Sequence, residues 1–315
     1  MRTVDQGVTA AMAGGFDLLV VGDANPDIVL SGAPRELAYG QRERLVAGGD
    51  LVLGGSGAIT ACGAARLGLR TAFAGRVGDD AAGRFVLGAL AERGVDVSHC
   101  VTDPRPTAMT VVLADGTDRA ILTSPGCLPY LTAGDVPRGL ARHVHVSSYF
   151  LQPGLADGLP ALLAELRAAG ATTSLDTNDD PAGRWDGLAD VLAATDVFLP
   201  NAGEARAIAA RLTGVRDGPL EAVAARLGAL GPAVVVKDGA DGALAWESGL
   251  VTRAPARPVE PVDTVGAGDS FDAGYLAARL RGMSRRECLD VAVACGSLST
   301  RAAGGTAAQP AWKEL

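Results

Sequence analysis

The chain has 315 residues and a net charge of −8, with 28 lysines and arginines against 36 aspartates and glutamates. That acidic balance argues against nucleic acid or an anionic membrane as a partner. Apolar residues make up 48% of the chain, too many for a disordered protein and enough for a packed core in one large α/β domain or two smaller ones.

Residues 1–15 lack a continuous apolar stretch and read as a loose N-terminal extension, not a signal peptide. From there to residue 315, short β-branched runs alternate with longer Ala- and Leu-rich runs. Predicted strands are Asp17–Val21, Thr71–Ala74, His143–Val146, Thr172–Leu175, Asp196–Leu199 and Ala233–Val236. Predicted helices are Ala58–Leu67, Ala81–Arg93, Gly158–Ala169, Ala202–Leu212, Leu220–Leu227, Ser270–Arg281 and Arg285–Arg301. Several stop at a glycine, as at Gly68, Gly94, Gly170 and Gly282. This alternation predicts an α/β fold with a mostly parallel central sheet covered by helices on both faces. The apolar runs are strand-length, so no membrane span is expected.

Two stretches break the alternation. Residues 28–52 are irregular and carry Pro34, Gly40 and Gly48-Gly49. Residues 101–127 read as antiparallel strands, Ala108–Leu113 and Arg119–Thr123, around a turn at Asp115-Gly116. A small sheet inserted into an α/β domain is a candidate lid.

Five scattered cysteines form no Cys-x-x-Cys pair, which fits reduced thiols in a cytoplasm and not a disulfide framework or a zinc site. His143 and His145 flank Val144 in a strand-like run and read as structural. Polar groups collect just beyond predicted strands: Asp23, Asn25 and Asp27; Asp176 and Asn178; Asn201 and Glu204; Lys237, Asp238 and Gly239. Open α/β sheets bind ligands beyond their strand ends, and four such ends look like one site.

The run Asp263-Thr-Val-Gly-Ala-Gly-Asp-Ser-Phe-Asp272 precedes an apolar helix. Free N–H groups and the positive dipole end make a helix start a good anion cradle. Gly266 and Gly268 allow close approach of a phosphate, and Asp269 puts a carboxylate where it could take a hydroxyl proton. An anion cradle beside a base points to phosphoryl transfer onto an alcohol. Asp at a helix start is also a common N-cap. There is no Gly-x-x-x-x-Gly-Lys-Ser/Thr loop, and no Gly-x-Gly-x-x-Gly follows the first strand.

That run resembles the C-terminal signature of the ribokinase-like (PfkB-type) carbohydrate kinases. The block Gly54-Gly55-Ser56-Gly57-Ala58, Gly63–Gly68 and Gly75–Asp80 resembles the family's N-terminal signature. The resemblance implies a β-lid over a sugar site. It also implies an enzyme that uses ATP and Mg²⁺ to phosphorylate a hydroxyl, a primary one in this family, of a small sugar.

Carried onto this sequence, the resemblance makes Asp269 the general base and Gly266, Ala267 and Gly268 the anion hole. Asn25, Asp27, Gly54, Gly55 and Ser56 form the substrate wall. Asn201, Lys237, Gly239 and Gly242 fall on the ATP side. Glu204 acts on magnesium through water, and Asp263 falls at a monovalent-cation (K⁺) site. Asn201 and Glu204 also have the spacing of a capping box, and from spacing alone the two readings stand equal. Where the family usually has an asparagine, this chain has Ile59. An apolar side chain cannot replace an amide's hydrogen bonds, so a nucleoside stays open as acceptor, as does a non-catalytic binding relative. A homodimer is allowed.

Overall fold

The computed structural model describes residues 15–315 except 38, 116 and 117, so all but the last residue of the expected extension and the tip of the 115–116 turn lie outside the described residues. The first third of the chain runs β1 (Phe16–Val21), β2 (Asn25–Ser31), β3 (Gly48–Gly54), α1 (Ser56–Arg66), β4 (Thr71–Ala74), β5 (Arg76–Gly78), α2 (Ala81–Glu92), β6 (Val95–Asp96) and β7 (Val101–Asp103). The middle holds β8 (Met109–Asp115), β9 (Asp118–Ser124), β10 (Ala141–Ser147), α3 (Pro153–Ala156), α4 (Leu159–Ala168), β11 (Thr172–Asp176), α5 (Leu188–Ala193) and β12 (Val197–Phe198). The last third is α6 (Ala202–Thr213), α7 (Leu220–Gly228), β13 (Ala233–Lys237), β14 (Ala243–Glu247), β15 (Leu250–Ala254), α8 (Ala267–Leu280) and α9 (Arg285–Ser299).

Nine strands form the central sheet in the order β15-β14-β13-β12-β11-β10-β1-β4-β6. It is parallel from β6 to β13, and β14 and β15 continue it antiparallel. Side chains alternate between two cores. Leu18 and Val20 of β1 pack with α1, α2, α8 and α9 on one face, while Leu19 and Val21 pack with α3 to α7 on the other. Fully buried strands of this kind read as continuous apolar runs, which is why the sequence gives them away.

A separate four-stranded sheet, β3-β2-β8-β9, holds the segments expected to form the lid. The stretch 28–52 expected to be irregular carries most of β2 and β3. Gly54 pairs with Asn25 in the β2–β3 ladder, and Asp27 pairs with Thr110 of β8. Asn25 and Asp27 thus lie in a lid strand where it leaves the core, not in a loop. Helix α8 starts at Ala267, three residues before the sequence suggested, so Asp269 sits inside its first turn.

Candidate active site

The site lies where the N-termini of α1 and α8 meet at the strand ends. Gly266 caps α8 in the left-handed region at φ 72°, and a Cβ there would stand 2.6 Å from the Gly305 Cα. Glycine is required by both conformation and space. The turn before it is held by Asp263, whose two carboxylate oxygens accept from Val265 N (2.9 Å) and Gly304 N (2.9 Å). Asp263 ties the helix-entry loop to the 300–304 loop, and Arg119 of the lid approaches it at 3.6 Å. Ile59 of α1 packs under the same loop, its Cγ2 3.1 Å from where a Gly266 Cβ would be. The isoleucine therefore packs as a support beneath the loop that enters α8.

Asp269 is 8% exposed and within hydrogen-bonding reach of Ser56 at the start of α1. Burial, then the nearby Asp176 and Asp23, push its carboxyl up to about 8 against the opposing pull of Lys237 and Ser56. A carboxyl that titrates in this range can exchange a proton near neutral pH.

On the lid side, Asn25 Nδ2 donates to Asp27 Oδ1 (2.7 Å) and to Thr110 Oγ1 (3.1 Å), and Thr110 meets Thr123 at 3.1 Å. Burial and then Asp23 raise the Asp27 carboxyl to about 6. Asp23 caps α1, accepting from Gly57 N (2.9 Å) and Ser56 N (3.1 Å). Asn25, Asp27, Gly54, Gly55 and Ser56, the residues expected to form the substrate wall, therefore meet within one ladder and one helix start.

On the other side of α8 a cavity of about 840 Å³ is lined by Lys237, Gly239, Gly242, Arg257, Gly268 and Phe271, among others. It takes in three of the four residues expected beside ATP. Asn201 lies outside its lining, at the N-terminus of α6. There the capping box is formed: Glu204 N donates to Asn201 Oδ1 (2.9 Å) and Asn201 N to Glu204 Oε2 (2.8 Å). Glu204 is nonetheless buried toward the site. Its carboxyl is raised to about 7 by burial and Asp176, while Lys237 pulls the other way.

Two residues at the centre have no role in the sequence reading. Asp272 follows Asp269 by one helical turn and is fully buried, and Ser148, left-handed at φ 56°, bonds to Asn178 Oδ1 through its N–H at 2.9 Å. The signal for Asp272 was a carboxylate inside an otherwise apolar helix. His143 and His145 are buried in β10, bonded to Thr172 and Ser174 at 2.7 Å, and burial pushes both imidazoles well below their usual range.

The pfkB family carbohydrate kinase model matches residues 16–312, almost the whole described chain. The chain belongs to the pfkB carbohydrate kinase family. It is 34% identical over 278 residues to a fructokinase of Salmonella typhimurium, covering 83% of this chain and 90% of that one. It is 29% identical over 286 residues to a 2-dehydro-3-deoxygluconokinase of Bacillus subtilis, covering 84% and 85%. The structure of Arabidopsis thaliana ribokinase complexed with ribose and ATP matches with a TM-score of 0.80 at 27% identity, over 95% of this chain and 96% of that one. The fold is the ribokinase fold, and the protein is a carbohydrate kinase. Among the described residues no helix is long and apolar enough to cross a membrane.

Proposed function

We propose that this carbohydrate kinase transfers the γ-phosphoryl group of ATP to a hydroxyl of a small neutral sugar, with Asp269 as the base. One observation carries the reading. The first turn of α8 borders the 840 Å³ cavity through Ala267 and Gly268, while Asp269 in the same turn reaches Ser56 at the start of α1, next to Gly54, which pairs with Asn25, so the turn joins a nucleotide side to an acceptor side. The Arabidopsis ribokinase structure holds ribose and ATP together, which supports ATP as the donor.

The acceptor oxygen forms a bond to the γ-phosphorus as the bond to the β–γ bridging oxygen breaks. The electron pair leaves with ADP, and the hydroxyl proton passes to Asp269. Backbone N–H groups of Gly266, Ala267 and Gly268 meet the charge on the phosphoryl oxygens. Lys237, Gly239 and Gly242 border the nucleotide, with Asn201 setting the start of α6 beside them. Glu204 fits a water-mediated contact to Mg²⁺: its Oε2 is held by the cap, and it is a hard oxygen donor at the site. Magnesium, when bound, neutralises phosphate charge. A K⁺ ion beside the 263–266 and 300–304 loops would be held by carbonyls, with Asp263 fixing the loops.

The acceptor side is acidic. Asp23 raises both Asp27 and Asp269, so its carboxylate lies near each of them. Such a wall suits a neutral sugar, as the fructokinase's name implies, over the sugar acid named by the B. subtilis relative. Comparing kcat/KM for fructose, ribose, adenosine and 2-dehydro-3-deoxygluconate by coupled ADP release tests this. A neutral sugar should lead. No turnover on any acceptor, or preference for the acid or the nucleoside, would overturn the reading.

A further inference from the structure

Helix α8 carries a second buried carboxylate one turn beyond its base. Asp272 is 0% exposed, and Asp176 at the end of β11 is 2% exposed. Lys237, at the end of β13, reaches between them. Its Nζ lies 2.6 Å from Asp176 Oδ2 and 3.1 and 3.3 Å from the two oxygens of Asp272. Lys237 is one of only two lysines in the chain.

A buried cluster of this kind contributes little to stability, because desolvation offsets much of the attraction. Its position suggests another use. The three atoms nearest to a Cβ on Gly268 would all belong to Lys237, with Nζ 3.6 Å away. That is ordinary contact, so no packing clash demands glycine there. The missing side chain leaves room beside the ammonium, over the first turn of α8 and at the wall of the nucleotide cavity. Oxygens of Asp176, Asp269 and Asp272 come within 4.8 Å of one another, the spacing of a metal-binding set. Lys237 already supplies a permanent cation to two of the three.

We propose that Lys237 is a catalytic residue whose ammonium contacts the phosphoryl group during transfer, and that Asp176 and Asp272 are positioning residues that hold it at the mouth of the anion cradle. The proposal rests on the kinase reading above. In the transfer step negative charge moves onto the β–γ bridging oxygen as its bond to phosphorus breaks. Lys237, on the cavity side of Gly268, is placed to meet that charge, while Asp269 receives the proton on the acceptor side. Two carboxylates stop the long side chain from swinging out or pairing with Asp269.

Lys237→Met and the double variant Lys237→Met/Asp176→Asn separate catalysis from structure. Removing Lys237 alone leaves Asp176 and Asp272 buried without their cation, and neutralising Asp176 as well relieves part of that penalty. The single variant should lose both thermal stability and activity. The double variant should regain part of the lost melting temperature while kcat stays about 10²-fold or more below wild type, the scale for losing a charge-stabilising donor. Its acceptor KM should stay within roughly threefold, on the view that only transition-state contact is lost. A double variant that regains kcat with its stability would show that the cluster is only structural.

If the double variant does not fold, Lys237→Ala assayed with ethylammonium takes its place. Saturable rescue of kcat supports the proposal, and no rescue in a folded protein overturns it. Wild-type protein inactive on every sugar would instead defeat the kinase reading, so the two failures are distinguishable.

Discussion

The carboxylate of Asp27 occupies the space that a side chain on Gly54 would need, since a Cβ built there would fall on the Asp27 carboxyl group. Gly54 and Asp27 lie on paired strands of the lid where the lid joins the core. Gly54→Ala should therefore act as a remote copy of Asp27→Ala. Both should raise the acceptor KM roughly 10- to 100-fold, the cost of about 1.5–3 kcal/mol for a charged hydrogen bond, and leave the ATP KM nearly unchanged. The double variant should be little worse than either single one. Full additivity, or an equal effect on ATP, would show that Asp27 does not hold the acceptor.

The lid strands β8 and β9 each reach the site. Thr110 of β8 bonds to Asn25 at 3.1 Å, and Arg119 of β9 stands 3.6 Å from Asp263. Adding the acceptor should slow hydrogen exchange across 109–115 and 119–124, because lid elements come from the least stable part of a fold and order on binding. Exchange in α7, on the far core, should barely change. Protection confined to 237–242 and 266–269 would mean that the lid does not cover the acceptor.

The raised Asp269 carboxyl has a stability consequence. Its folded value, about 8, exceeds the unfolded value of 3.8, so the native state holds the proton more tightly. That contribution is fully present below about pH 4 and is lost as pH rises through about 8. Asp269→Asn cannot titrate, so its melting temperature should exceed the wild-type value at pH 8 by several degrees and converge with it near pH 4. A variant less stable than wild type at pH 8 would contradict the burial of a costly carboxylate.

The same groups shape the rate profile. A base must be deprotonated, so kcat/KM for the acceptor should climb about tenfold per pH unit below the Asp269 value of about 8 and level off above it. Below about 6 the Asp27 carboxyl also takes its proton, and the slope should steepen toward two. A flat profile from pH 6 to 9 would remove Asp269 from the proton transfer.

The parallel sheet was legible because its strands are short, wholly apolar and separated by helices with glycine stops; Gly68, Gly94, Gly170 and Gly282 all have positive φ. The hairpin β14–β15 went unread. Its turn signal was present in Ser248-Gly249 (φ 52° and 81°), but Trp246-Glu247 and Leu250-Val251 gave no clean alternation. Asn25 and Asp27 looked like a loop because Pro26 and two polar residues hide a strand that pairs with distant partners. The 263–269 run was legible because helix starts bind anions by local geometry. The Lys237 cluster was not, because it joins residues 61 and 35 positions apart, and only the fold brings them together.

The central claim is that Asp269 takes the acceptor's proton as ATP loses its γ-phosphoryl group. The direct measurement follows sugar phosphate and ADP together by ³¹P NMR, for wild type and for Asp269→Asn, with the best neutral sugar. The account predicts one sugar phosphate per ADP in wild type, and a folded variant roughly 10²- to 10⁴-fold slower, the scale of a lost general base. A variant keeping more than about half of the wild-type rate, far above that scale, would contradict it.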